Sequence, residues 1–186
     1  MSKLKDPQSV ATATGCPTAN VSAALPALIA GLTEQGILDP YVLIGLLATI
    51  PVETAKTFKP VVEGFWLTPA AQEAYLDKTA YGKVDPTTGK RYEGRGFIQR
   101  TWEASYIADG NALNLDLYHH PELLLDPVNA ARDACLFWKQ KAGLVVACTS
   151  KNWREVRRLV NGGTNGLDVF LSDVAALTKV YEESKP

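Results

Sequence analysis

The sequence is short of the residues on which much of enzyme chemistry rests. It holds only two histidines, His119 and His120, and three cysteines, Cys16, Cys135 and Cys148. Adjacent histidines on a regular element point in different directions, so they do not form a helical metal pair, and a turn ahead of Pro121 accounts for both. The cysteines form no CxxC pair and have no zinc spacing, and an odd count rules out a fully bridged framework. Reduced thiols are the expectation, with Cys135 in a helix core. A Ser-His or Cys-His nucleophile has little to draw on. Neither a metal nor an organic cofactor is expected.

Excess charge is also missing. Nineteen basic residues face twenty acidic ones, for a net charge of −1. Nothing draws the chain globally to nucleic acid or to an anionic membrane. Basic residues cluster only at Arg154, Arg157 and Arg158, which reads as a solvated helix face. The longest apolar run, Tyr41–Val52, is interrupted by Pro51 and falls short of the roughly twenty residues a membrane-spanning helix needs. The first residues, MSKLKDPQSVATATGC, contain no apolar stretch of the secretory type.

What remains is an ordinary globular composition, 46% apolar and 21% charged over 186 residues, enough for one domain with a full core. Residues 1–18 read as a loose N-terminal arm and 19–186 as a single domain. Ala24, Leu25, Leu28, Ile29 and Leu32 recur at helical spacing, closed by Gly36. Asp39-Pro40 opens a second helix, apolar on nearly every face, that runs toward Glu53. Residues 56–68 read as loop, and Thr68-Pro69 begins a short helix. Residues 79–96 are turn-rich, with a small hairpin expected around Thr87–Gly89. A helix begins near Thr101, that residue serving as its cap. Further helices start at Asp126-Pro127, Trp153 and Asp168, and the Asn161–Gly166 loop separates the last two. The fold class is mainly α, with a loop-rich or small hairpin lobe beside a cleft.

Two glutamates then stand out. Glu53 closes the buried helix and Glu63 follows ten residues later. Glycosidic bond cleavage usually takes one carboxyl group to give a proton and another to activate water or attack carbon. A straight helix would separate the two by roughly 15 Å, too far for a pair. Pro60 forbids that helix at Lys59, so the chain must turn. The segment Tyr92–Thr101, YEGRGFIQRT, supplies an amide at Gln99, a hydroxyl at Thr101 and Arg95 between two glycines. These groups suit sugar hydroxyls or a positioned water. Trp66, Tyr75, Tyr81 and Tyr92 add aromatic faces in the same half.

The order of these pieces resembles a known family. An apolar helix ends in Glu-Thr, FKPVVE follows, then GRGFIQRT, HHPELLLDPVNAA, a Phe-Trp pair and VNGGTNG. This is similar to the glycoside hydrolase family 19 chitinase-like domain of the lysozyme superfamily, most of all its small bacteriophage endolysins, over residues 20–180. The resemblance implies a lysozyme-like helical domain. It implies Glu53 as general acid, its proton favoured by the apolar helix end, and Glu63 as general base, with Glu93 as an alternative second carboxylate. Gln99, Thr101 and Asn161 would line the substrate site, with Arg95, Tyr92 and Trp66 beside them. The substrate implied is the peptidoglycan glycan strand, with chitin as the alternative. A non-catalytic wall-binding or virion protein is a further one. A monomer is implied, made in a host cytoplasm and acting on the wall after release or as part of a virion. Val52, Ala55-Lys56-Thr57 and Ser105 depart from the family pattern, which has His, Gly-Gly and Asn there.

Overall fold

The computed structural model describes residues 2–184. Among them, helices account for most of the ordered structure: α1 (Pro7–Thr14), α2 (Thr18–Glu34), α3 (Pro40–Glu53), α4 (Pro69–Leu76), α5 (Glu103–Leu113), α6 (Pro127–Gln140), α7 (Leu144–Thr149), α8 (Trp153–Asn161) and α9 (Leu167–Glu182). Two short strands, β1 (Val61–Val62) and β2 (Arg95–Gly96), complete them, together with 3-10 turns at Lys3–Lys5 and Pro121–Leu125. The mainly α expectation is met.

Three helices start where the sequence says they should. Asp39 accepts from the backbone of Tyr41 and Val42, Thr68 from Ala71, and Asp126 from Val128 and Asn129, each followed by proline in the first turn. The same device operates at Asp6-Pro7, where the Asp6 carboxylate accepts from Ser9 N–H at 2.9 Å and opens α1. The described part of the expected loose arm, residues 2–18, is therefore ordered. Leu4 and Val10 are fully buried, and α1 packs on α2 and α9. Burial of two aliphatic side chains stabilises that docking by about 3–6 kcal/mol, enough to hold so short a helix in place.

The core is built around α2 against α6 and α3 against α9. Every residue of α3 from Val42 to Pro51 is buried. Two cysteines fix the closest approaches. A Cβ on Gly31 would stand 2.8 Å from the Cys135 sulfur, and one on Gly45 2.8 Å from the Cys148 sulfur. The thiols thus fill the space that the helix glycines leave. No single described helix is long and apolar enough to cross a membrane.

The irregular half differs from expectation in detail. The strand pair joins β1 to β2, with Val61 opposite Gly96 and Val62 opposite Arg95. The hairpin expected around Thr87–Gly89 is instead a turn. Asp85 accepts from Thr87 N–H and Thr88 N–H, and Asp85 N–H reaches Lys90 O at 2.7 Å. Helix α5 begins at Glu103 with Trp102 in the preceding position, so Thr101 is not its cap. The six-residue α7 was not anticipated, because Leu144–Thr149 is too short and too rich in β-branched residues to show helical periodicity.

Candidate active site

Glu53 is the last residue of α3, at the end of the most deeply buried helix. Thr54 closes that helix. Its hydroxyl donates to Ile50 O at 2.7 Å and accepts from Phe58 N–H at 3.1 Å. The chain then reverses through Ala55, Lys56 and Phe58, all with φ between +48° and +62°. Three non-glycine residues in this region cost about 1 kcal/mol or more each. Tertiary contacts hold them there. Lys56 Nζ donates to both Asp173 oxygens at 2.7 Å and to Thr14 O at 2.9 Å. Asn20 Nδ2 donates to Thr57 O at 2.8 Å. The Phe58 ring packs on Phe97, one residue beyond β2, with centroids 5.9 Å apart.

The surroundings of Glu53 are not simply apolar. Arg157 on α8 forms an ion pair through Nη1 with Glu53 Oε1, and its Nε donates to Asn165 O at 2.6 Å. Arg157 is 1% exposed. The basic cluster read as a solvated helix face therefore points one member inward. No local sequence signal marks Arg157, since its partner lies 104 residues earlier. Gly166 matters to this arrangement: at φ +69°, a Cβ there would sit 2.5 Å from Val52 Cγ1. A bulky residue would push α9 away from the end of α3.

Glu63 follows β1 and is held quite differently. Its Oε1 accepts from Tyr75 Oη at 2.9 Å and Tyr81 Oη at 2.7 Å. Its Oε2 accepts from Gly94 N–H at 3.1 Å. Three donors converge on one carboxyl group. Both phenols are pushed to higher pKa, Tyr75 chiefly by its bond to Glu63 and Tyr81 chiefly by burial, then by Glu63. They remain donors throughout the neutral range. A carboxylate offers about four acceptor positions. The phenols fill those of Oε1, and one position on Oε2 remains. Gly94 makes this possible: a Cβ there would meet Gln99 Oε1 at 2.8 Å and Glu63 Oε2 at 3.1 Å.

The remaining sequence candidates divide into two groups. Gln99 lies beside Gly94, and its Nε2 donates to Val61 O at 3.1 Å, tying the loop to β1 at φ +55°. Thr101 is half-buried, Asn161 is exposed at the end of α8, and Trp66 is 65% exposed with its edge against Phe65. These three present groups outward. Tyr92, Arg95 and Glu93 do not. Tyr92 is buried and its hydroxyl donates to Tyr118 O at 2.9 Å. Arg95 is occupied by Glu93 at 2.7 Å, Arg91 O at 2.9 Å and the Tyr106 hydroxyl at 3.3 Å. Glu93 is 5% exposed and paired with that arginine. All three support the strand rather than reach solvent. No group of three or more metal-ligating side chains occurs among the described residues.

No family model matches the chain. An endochitinase of Arabidopsis thaliana is 37% identical over 97 residues, which is 48% of this chain and 34% of that protein. The chain spans about a sixth to a third of the length of the curated plant relatives it matches. Among solved structures, chitinase C from Streptomyces griseus superposes with a TM-score of 0.69 at 21% identity, covering 95% of this chain and 92% of the other. A bacterial family 19 chitinase superposes at 0.67 and 20% identity, over 95% of this chain and 94% of its own. The chain thus has the lysozyme-like, mainly α fold of these chitinases.

Proposed function

We propose that this chain is a glycoside hydrolase of the family 19 type. It cuts β-1,4 bonds in polymers of N-acetylated amino sugars, with the peptidoglycan glycan strand as its substrate. The observation that carries the reading is the contrast between the two glutamates. Glu53 ends a buried helix with one oxygen engaged by a single buried arginine. Glu63 sits just beyond β1 with three donors aimed at its carboxyl group. Two carboxyl groups in unlike environments are what acid and base roles require.

In this mechanism Arg157 holds Glu53 Oε1, so the second oxygen delivers the proton to the glycosidic oxygen as the bond to the anomeric carbon breaks. A water bound at the open position of Glu63 Oε2 gives up a proton to that carboxylate. Its oxygen bonds to the anomeric carbon from the opposite face, which inverts configuration. Gly94, by leaving room beside Oε2, keeps that position accessible. No cofactor takes part. The likeness to the small bacteriophage endolysins of that family supports peptidoglycan. The names of the plant and Streptomyces relatives support chitin as a second reading. The enzyme would act on the wall after release from a host cytoplasm or as part of a virion.

The test compares release of reducing ends from bacterial sacculi and from colloidal chitin. The wild type should act on sacculi, and Glu53→Gln should lower the rate by roughly a hundred- to ten-thousandfold through loss of the proton donor. Equal rates for the two proteins would end the assignment. Faster release from chitin would select the second reading, and tight binding without new ends would indicate a wall-binding protein.

A further inference from the structure

Trp102 has a combination of properties that neither the carboxylate pair nor the core explains. It is a non-glycine residue with φ +75° and ψ +132°, and its side chain is 51% exposed. That conformation costs about 1–3 kcal/mol. It persists because the backbone is fixed on both sides: Trp102 N–H donates to Tyr92 O at 2.9 Å, and Trp102 O accepts from Ser105 N–H at 3.0 Å and Tyr106 N–H at 3.1 Å. Glycine would sit there without strain. The chain instead presents a large, half-exposed indole at the place least comfortable for one.

The indole forms one wall of a cavity of about 340 Å³ lined also by Tyr81, Lys83, Val84, Tyr92 and Glu103. Its ring meets the Tyr81 ring edge-on, with centroids 5.5 Å apart. Tyr81 is the residue whose hydroxyl bonds Glu63 Oε1 at 2.7 Å. The cavity therefore shares a wall with the general base. Among the described residues, Lys83 and Glu103 form no ion pair or side-chain hydrogen bond, which leaves one cationic and one anionic group at the rim.

We infer that this cavity is a sugar-binding subsite in which Trp102 stacks against the face of one N-acetylated pyranose ring of the same glycan strand, while Lys83 and Glu103 bond its hydroxyls. The C–H bonds on a pyranose face are weakly positive and suit the negative face of an indole. A mixed-sign rim favours a neutral polyhydroxylated ligand over an ion. The volume lies in the range of small-molecule sites. This inference rests on the proposed glycosidase reading, since it takes the glycan that the two glutamates would cut.

The experiment uses the full chain carrying Glu53→Gln, so that ligand survives, and titrates N-acetylglucosamine oligosaccharides of increasing length by calorimetry. Adding Trp102→Ala should weaken binding of oligosaccharides that span from the cleavage point to the indole roughly tenfold or more and leave those too short to span it unchanged. Trp102→Tyr should restore most of the loss. Equal weakening at every length, or no weakening at any, would overturn the subsite while leaving the glycosidase reading in place. Failure of the parent Glu53→Gln protein to bind either these oligosaccharides or soluble glycan strands released from peptidoglycan would overturn both. Thermal melting of each variant identifies a simple folding defect, and the Tyr rescue separates stacking from strain.

Discussion

Replacing Arg157 by leucine is the perturbation that the structure specifies most tightly. The side chain is 1% exposed and makes two charge-assisted contacts: the ion pair with Glu53 and the bond from Nε to Asn165 O at 2.6 Å. Each such bond contributes about 1.5–3 kcal/mol, and the partners left behind would be partly buried. The Glu53 side chain is 14% exposed, so water can replace part of what it loses. The expected cost lies near the lower end of the sum, about 3 kcal/mol, well below the loss for a fully dry ion. For a chain of this length that lowers the melting temperature by roughly 6–12 °C. Arg157→Lys should recover only part, because an ammonium cannot serve both acceptors in the guanidinium geometry. A double-mutant cycle in urea makes the assignment specific. In a Glu53→Gln background the cost of Arg157→Leu should fall by about 1–2 kcal/mol, since the charge it balanced is gone. If Arg157→Leu melts with the wild type, or if the two changes are additive, the reasoning fails.

Three other outcomes follow from the same coordinates. Gly94→Ala places a methyl 2.8 Å from Gln99 Oε1 and 3.1 Å from Glu63 Oε2; it should lower the hydrolysis rate about a hundredfold while shifting the melting temperature little, and an unchanged rate would remove Gly94 from the account. Burial pushes the Asp133 carboxyl up to about 7, opposed by Arg100 and reinforced by neighbouring Asp109. The folded state then keeps a proton that the unfolded chain releases near pH 4, so stability should fall as pH rises from about 4 to about 7 and level off above; Asp133→Asn should flatten that slope in urea titrations at several pH values. Burial pushes the thiols of Cys135 and Cys148 up to about 12, so neither should react with an alkylating reagent at neutral pH until the chain is unfolded, as mass spectrometry would show.

Much of the architecture was legible because it rests on local signals. Asp39-Pro40, Thr68-Pro69 and Asp126-Pro127 announce helix starts through side-chain acceptors and a fixed proline φ, and the structure uses all three. Asp6-Pro7 carries the same signal but lies in a stretch whose Ser, Thr and Ala content reads as a flexible arm. Its helix is held by tertiary burial of Leu4 and Val10, which composition does not reveal. The strand pair was misplaced for a related reason. Turn chemistry near Thr87–Gly89 suggested a local hairpin, whereas Val61 pairs with Gly96 across 35 residues, and two-residue strands carry no alternation to detect.

In the candidate site, Glu53 and Glu63 stood out in the sequence through paired-carboxyl chemistry, the turn at Pro60 and the motif order, whereas the bonds that hold them did not. Tyr75 and Tyr81 stood out only as aromatic faces and Arg157 only as part of a solvated basic cluster; they come from α4, from the loop beyond it and from α8, and nothing in their neighbours marks their bonds to Glu63 and Glu53. Arg95 shows the converse. Its place in the YEGRG stretch suggested contact with sugar, but an arginine between two glycines can as readily fold back onto its own strand, where Glu93 holds it.

The central claim is that Glu53 and Glu63 act as an acid and base pair on a glycan. Mass spectrometry of soluble fragments from purified sacculi, digested by wild type, Glu53→Gln and Glu63→Gln, tests it most directly. The account expects wild-type fragments ending in ordinary hydrated reducing sugars and almost none from either variant. Anhydro ends, or fragments from the Glu63→Gln protein at the wild-type rate, would contradict it.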